Sequence, residues 1–362
     1  MKSESPDFNR KIHCLLGLPF DAVTLDDAVA HIRRAIDQRT PCFLSTPNLN
    51  FLIAAQKNTA FRNSVIHSDL SLPDGMPVVW LAKLMGIPIG ERVAGSDVFE
   101  ALRNGSGRQI KVYFFGGPPG IAERAAQQIN EEKKGMVCVG FESPGYGSVE
   151  DMSSASSIDK VNQSGADFLV VSLGAAKGQA WIEHNLSRLN TPVVSHLGAV
   201  VNFVAGGVQR APRWMQRVGL EWLWRIKEEP NLWRRYWADG TSLVKLLAMD
   251  VFPFIWFQSL QRAMRFVSPA LQLKADESSG NNVFLVKAFN GQNQTEEPRL
   301  KIEKLAVEKA DITIDFSKVR FCESRLMGLI VLLIQHKTRT GFRVDLIAPP
   351  KTLSDHKTNN AI

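Results

Sequence analysis

The sequence predicts an α/β layer fold with a mostly parallel sheet, followed by a helical appendage and a small α+β module. Three observations lead there. Short apolar runs such as Asp167–Leu173 and Pro192–Leu197 alternate with helix-like stretches, as strands do when helices cover both faces of a sheet. Near residue 206 that alternation gives way to helical periodicity, and six of the eight tryptophans lie beyond it: Trp214, Trp222, Trp224, Trp233, Trp237 and Trp256. Finally, 362 residues suit two domains at about 100–200 residues each, and a polar stretch, Lys274–Asn282, supplies a linker.

Taken in order, Ile12–Leu18 reads as a strand and Leu25–Gln38 as an amphipathic helix. Pro41–Ser45 is a strand leading into a Thr46-Pro47-Asn48 loop and a helix over Phe51–Asn58. Ile110–Phe115 is a strand, followed by the turn Gly116-Gly117-Pro118-Pro119-Gly120 and a helix over Ile121–Lys133. Met136–Phe141, Asp167–Leu173 and Pro192–Leu197 are further strands. Leu243–Val267 reads as an amphipathic helix interrupted by Pro253. After the linker, strands are expected at Val283–Phe289, Leu300–Leu305, Asp311–Phe316 and Arg343–Ile347, with a helix over Ser324–Lys337. The domain boundaries that follow are 1–240, a connector at 241–272, the small module at 273–350 and a polar tail at 351–362.

The composition, 44% hydrophobic and 22% charged, excludes a disordered or collagen-like chain, and its length permits a core without covalent staples. Cys14, Cys42, Cys138 and Cys322 form no CxxC pair or Cys/His cluster, which argues against zinc or a disulfide framework. The polar start MKSESPDFNRK lacks the apolar run of a signal peptide. Leu246–Phe257 is broken by Asp250 and Pro253 and is shorter than the roughly 20 residues a membrane span needs. A cytoplasmic protein is expected.

The net charge is +7. Residues 205–266 hold ten Lys or Arg against five acids, so most of the excess sits among the tryptophans. Trp favours membrane interfaces and Lys or Arg favours anionic lipid, which suggests an anionic membrane surface; a solvated helix face packed through its tryptophans is the alternative. Nucleic acid would also suit the charge, but basic residues interleaved with Trp fit a lipid diphosphate better, so no nucleic-acid partner is expected.

Two motifs carry chemistry. The turn at Gly116 and Gly117 ends a strand and opens a helix, where backbone N–H groups can meet a nucleotide diphosphate; glycines serving only the turn geometry are the alternative. The segment Asp69-Leu70-Ser71-Leu72-Pro73-Asp74-Gly75 places Asp74 on a turn, either as a local turn former or as a carboxylate that takes a proton from a sugar hydroxyl.

Several segments together resemble the WecG/TagA/CpsF glycosyltransferases, glycosyltransferase family 26. They are Ser45-Thr46-Pro47-Asn48, the Asp69–Gly75 stretch, Gly90-Glu91-Arg92-Val93-Ala94-Gly95-Ser96-Asp97, the glycine turn, Gly198-Ala199-Val200 and Ala205-Gly206-Gly207. Arg210-Ala211-Pro212-Arg213-Trp214-Met215-Gln216, Gly219-Leu220-Glu221-Trp222-Leu223-Trp224-Arg225 and Glu229–Tyr236 continue the match. The likeness runs unbroken over about residues 12–240. It implies a Rossmann-like core with a C-terminal appendage that helps close the site at the membrane. It implies transfer of an N-acetylmannosamine-type sugar, its uronic acid or another hexose, from a UDP-sugar to a polyprenyl-diphosphate-linked saccharide on the inner face of the bacterial membrane. Transfer proceeds with inversion and without metal, so no cofactor is implied, and members associate with one another, which implies a homo-oligomer.

Residue by residue, the resemblance makes Asp74 the general base and gives Thr46 and Asn48 hydrogen bonds to the sugar or the base. Arg92 matches an arginine suited to a diphosphate, with an ion pair to Glu91 or Asp97 as the alternative. Arg210 lies in the matching Arg-Ala-Pro segment, and Arg225, Arg234 and Arg235 match the arginine-bearing segment that approaches the diphosphates, although Asn231 stands where many members have a basic residue. The family's Pro-Lys-Gln-Glu motif with a following Trp is altered: Lys177 and Trp181 align, Gly178 takes the glutamine position and Gln179 the glutamate position. Either Gln179 substitutes by a one-residue shift or the contact is lost.

The segments Asp311–Ser317, Val319–Ser324 and Gly328–Leu333 resemble a STAS domain, with Arg325 where switch-type members carry the phosphorylated residue. A docking or regulatory module, and through it a protein partner, is implied; a structural cap is the alternative. The rival to an active transferase is a scaffold built on an altered transferase domain, favoured by the change at Lys177–Trp181 and opposed by intact Asp74, Asn48 and Arg92. A nicotinamide oxidoreductase rests on the glycine turn alone.

Overall fold

The computed structural model describes residues 7–263, 282–285, 296–316 and 323–347. The expected polar linker up to residue 281, the polar tail and Cys322 lie outside these.

The chain opens with a hairpin, β1 (Ile12–Leu15) against β2 (Leu18–Asp21), where a single strand over Ile12–Leu18 was expected. Leu16 (φ 50°) and Gly17 (φ 86°) turn the chain with two positive φ angles, as two-residue hairpins of the primed type require. A leucine in that conformation leaves no turn signature in the sequence.

Then follow α1 (Leu25–Gln38), β3 (Cys42–Ser45), α2 (Leu49–Lys57), α3 (Thr59–Ile66), β4 (Leu70–Ser71), α4 (Met76–Leu84) and α5 (Gly95–Asn104). Helix α1 starts on a capping box between Thr24 and Asp27, which satisfies N–H groups the first turn leaves unpaired. The middle of the domain is β5 (Ile110–Gly116), α6 (Ile121–Glu132), β6 (Met136–Glu142), α7 (Ala155–Gln163), β7 (Phe168–Ser172), α8 (Ala175–Asn185), β8 (Val193–His196) and α9 (Gly198–Val204).

Strands β3 to β8 form one six-stranded sheet in the order β4-β3-β8-β7-β5-β6, with every pairing parallel. Its period-2 alternation builds two cores. Val112, Phe114, Phe168 and Val170 face α1, α5, α6 and α9; Tyr113, Phe115, Leu169 and Val171 face the side of α7 and α8. This is the doubly covered α/β layer expected from the apolar strands, and it is consistent with the Rossmann-like core that the resemblance implies.

The appendage is α10 (Arg213–Arg217), α11 (Glu221–Glu228), α12 (Trp233–Leu246) and α13 (Phe252–Ala263). A π-helical stretch, Leu247–Val251, joins α12 to α13 just before Pro253, whose missing N–H disturbs regular α-helical bonding there. The inner face of this helix joins the core of the hairpin and α2–α4 through Leu246 and Val251, and Asp239 accepts from Asn50 Nδ2 at 3.1 Å.

The C-terminal module contains β9 (Asn282–Leu285), α14 (Glu296–Val307), β10 (Ile312–Asp315), α15 (Ser324–Arg339) and β11 (Val344–Ile347), with a parallel sheet in the order β11-β10-β9. The strand expected at Leu300–Leu305 is part of helix α14. Its Leu-Lys-Ile-Glu alternation mimics a strand, but Ile302, Leu305 and Ala306 are buried at helical spacing in a core shared with α15. That core also takes in Ile12, Cys14 and Ile66, so the module is welded to the hairpin. Arg325 donates to the carbonyls of Ile12 (3.1 Å), Phe8 (3.3 Å) and Arg10, and at the other end Arg339 pairs with Asp69 at 2.7 Å. Arg325 thus clamps backbone of the N-terminal segment.

Candidate active site at the carboxyl edge of the sheet

In an open parallel sheet all strands end on one edge, and the crevice outside that edge is where ligands bind. Three segments meet there, and hydrogen bonds between neighbouring backbones set their spacing. The N–H of Asp74 donates to Pro47 O (3.0 Å), the N–H of Val93 donates to Pro73 O (2.9 Å), and the N–H of Gly95 donates to the Asp74 carboxylate. The Thr46–Asn48 loop after β3, the Asp74 turn after β4 and the Arg92–Gly95 segment before α5 are thereby stacked side by side.

Two glycines permit this. Gly75 has φ +110°, which lets the chain pass from Asp74 directly into α4. Gly95 has no space for a side chain, since a β-carbon would overlap Leu197 and stand 3.1 Å from Thr46 Cγ2. Asn48 Oδ1 accepts from the N–H of Phe51 at 3.2 Å and caps α2.

Arg92 is enclosed by polar partners: Asp97 at 2.7 Å, Gln216 Oε1 at 3.2 Å and Glu221 at 3.4 Å. Asp97 is shared with Arg210, which also pairs with Glu100 at 2.8 Å. Of the two ion pairs open to Arg92, the structure forms the one to Asp97. Glu91 instead accepts from the N–H of Leu25 at 2.8 Å. Gln216 and Glu221 tie the appendage to the site. Sequence reasoning gave neither of them a role, because a polar residue on an amphipathic helix reads as solvated surface.

Asp74 keeps some surface open to the crevice, while protein atoms crowd its carboxyl group. That crowding pushes its pKa up to about 7. Arg92 opposes the rise, Glu221 and Asp97 add to it, and the Gly95 N–H opposes it. A carboxylate poised near neutral pH is suited to general-base work.

Across the edge, β5 ends in Gly116 (φ 101°) and Gly117 (φ 85°). A β-carbon at Gly116 would lie 2.6 Å from Ser172 O, so this glycine is required by the approach of β7. Gly120 opens α6 without a side-chain cap, which leaves the first N–H groups of the helix to other acceptors.

Gln179 is buried, and its Nε2 donates to Ser45 Oγ at 2.9 Å, at the same edge as Thr46. Lys177 points elsewhere, to Gly147 O at 2.7 Å, and Trp181 is a core residue. Arg225, on α11, pairs with Glu229 at 3.0 Å and lies 5.3 Å over Phe203. Arg234 and Arg235 are exposed on α12, over the rings of Trp233 and Tyr236. Among the described residues, no group of three or more His, Cys, Asp or Glu is placed to hold a metal ion, and no helix is long and apolar enough to cross a membrane.

Comparison with known proteins adds a family. The model of the glycosyl transferase WecG/TagA/CpsF family matches residues 13–253. An N-acetylglucosaminyldiphosphoundecaprenol N-acetyl-beta-D-mannosaminyltransferase of Bacillus spizizenii is 30% identical over 220 residues, covering 60% of this chain and 84% of that enzyme. The enzyme of the same name from Bacillus subtilis is 30% identical over 202 residues, 55% of this chain and 77% of that one. A solved arylmalonate decarboxylase is 20% identical over 52% of this chain and 77% of its own, at a TM-score of 0.21 that carries no argument.

Proposed function

The chain belongs to the WecG/TagA/CpsF glycosyltransferase family, and from that premise we propose that it moves an N-acetylmannosamine-type sugar, or a related hexose or uronic acid, from a UDP-sugar to a polyprenyl-diphosphate-linked saccharide. The observation that carries the reading is Asp74. Its carboxyl group is held in a crevice beside Arg92, with a pKa of about 7.

In the proposed reaction the acceptor hydroxyl oxygen attacks the anomeric carbon from the face opposite the UDP. The new carbon–oxygen bond forms as the bond to the β-phosphate breaks. The hydroxyl proton passes to Asp74, and UDP leaves with the bonding pair. Thr46 and Asn48 line the loop bonded to the Asp74 backbone and would orient sugar and base. The start of α6 beyond Ile121 would supply N–H groups for the diphosphate, since the Gly117 N–H donates to Ser172 O at 2.7 Å and Pro118 and Pro119 have none. Arg210 Nε and Arg225 Nε are buried donors without a partner among the described residues, which suits an anion drawn in beneath the appendage. A diphosphate reaching Arg92 would compete with Asp97 and Glu221.

The acceptor's lipid carrier places the reaction at a membrane face. Trp214, Trp233, Trp237, Phe252 and Trp256 are all more than half exposed, in a segment rich in Arg and Lys. An exposed aromatic and basic surface of this kind suits the interface of an anionic bilayer. For the C-terminal module, the clamp from Arg325 supports a structural cap on the hairpin rather than a phosphate switch.

The test is transfer from a panel of UDP-sugars to a lipid-diphosphate acceptor, with Asp74→Ala in parallel. Transfer by the native protein and its loss in the variant is the expected result. An Asp74→Ala protein with full rate would remove the carboxylate from the mechanism.

A further inference from the structure

Near the middle of the carboxyl edge, where β3 and β8 end, Nε2 of His196 and Oε1 of Gln179 are buried with no hydrogen-bond partner among the described residues. Leaving such atoms unpaired costs stability, and native proteins keep them mainly where something else completes them. His196 is the last residue of β8. Gln179 reaches the same edge from α8, since its Nε2 donates to Ser45 Oγ, and Ser45 lies one step past the paired Leu44 and Ser195 of β3 and β8.

The His196 ring is housed by absent side chains. A β-carbon at Gly178 would overlap it, and one at Gly198 would stand 3.2 Å from Nε2. Ser172 lies on the far side, donating to Gly198 O at 3.2 Å, next to the Gly116–Gly117 turn. Burial holds the His196 pKa down to about 4, so the ring is neutral at physiological pH. A neutral imidazole and a carboxamide each donate and accept. That chemistry suits hydroxyl and acetamido groups.

Strand order identifies the guest. Asp74 follows β4 and the glycine turn follows β5, while β8 lies between them in the order β4-β3-β8-β7-β5. A donor whose diphosphate is at the turn and whose anomeric carbon faces Asp74 must lay its sugar across the end of β8. Resting on the proposed transferase reading, we infer that His196, together with Gln179, forms the subsite that hydrogen-bonds the hydroxyl and acetamido groups of the donor sugar and so sets donor preference.

The experiment is titration of the full chain and its variants with UDP, UDP-N-acetylmannosamine and UDP-N-acetylglucosamine, alongside transfer kinetics. His196→Phe keeps the ring volume without the polar atoms, and Gln179→Met keeps length without the amide. Each should weaken UDP-sugar binding at least tenfold and raise the donor KM accordingly, while UDP alone binds within twofold of the native protein. His196→Asn, which restores a donor and an acceptor, should recover part of the loss. UDP-sugar binding within twofold of native in His196→Phe would overturn the subsite, as would equal loss of UDP and UDP-sugar, which signals a structural role. Native transfer combined with either result leaves the transferase reading standing. A native protein that neither binds nor transfers any UDP-sugar would remove both.

Discussion

Trp181 and Trp256 are the same residue in opposite settings. Trp181 lies under the sheet with no exposed surface, stacked on Phe115 at 4.3 Å between ring centres, and its N–H donates to Met152 O at 2.9 Å. Trp256, on α13, is 75% exposed, and Trp237 on α12 is 71% exposed. The α/β core hides its large apolar groups and satisfies Trp181's one polar atom. The appendage displays such groups next to guanidiniums, with Arg234 5.7 Å over Trp233 and Arg235 5.2 Å over Tyr236. A helix that shows aromatic rings on its outer face and buries Leu246 and Val251 on its inner face is amphipathic toward two apolar phases. The inner one is the protein core; the outer one, under the function proposed above, is a lipid interface.

The contrast can be broken first at its core end. Trp181→Ala should cost about 3–5 kcal/mol of stability, because it opens a cavity and strands the Met152 carbonyl, and a denaturant midpoint reads this directly. A loss under 1 kcal/mol would mean that the core at α8 is loosely packed.

Asp74 lies where core and appendage meet. Asp74→Asn should slow transfer roughly 10²–10⁴-fold. For the native protein, kcat/KM should rise with pH through about 7 as the base loses its proton. The same group affects stability in the opposite direction. Its folded pKa lies above its ordinary value of 3.8, so the folded state holds the proton more tightly, and stability declines as pH rises from about 4 to about 7. Asp74→Asn should therefore melt higher than the native protein at pH 8 and lose that advantage at pH 4. Equal melting temperatures at both pH values would place the carboxylate in a more solvated setting.

The smallest effect on stability is expected in the appendage. Trp237→Ser with Trp256→Ser should change stability by no more than about 0.5 kcal/mol, as exposed positions do, yet reduce co-sedimentation with vesicles containing anionic phospholipid. Unchanged sedimentation would remove these rings from any membrane contact.

Much of the site is legible in the chain. Asp74, Thr46, Asn48 and Arg92 stand in short motifs, and backbone hydrogen bonding does stack the three segments that bear them. The partners of Arg92 are less legible. Gln216 and Glu221 lie more than a hundred residues away on amphipathic helices, and nothing local separates a residue that will meet Arg92 from one that will meet water. The α14 error has a related cause. Leu300–Leu305 satisfies both a period of 2 and a helical period, and packing on α15 decides between them.

The sequence by itself determined the parallel α/β layer, because wholly apolar strands admit few other arrangements. It also determined the motif that bears Asp74, the proposed general base, and the concentration of charge and tryptophan in one stretch. Only the tertiary structure decided that Arg92 pairs with Asp97, that Arg325 clamps the N-terminal segment, and that Gly178 makes room for His196. Arg325 meets residues more than 300 positions away, and even the nearer pairs are set by the shape left between packed helices and strands rather than by the preference of any residue for its neighbours.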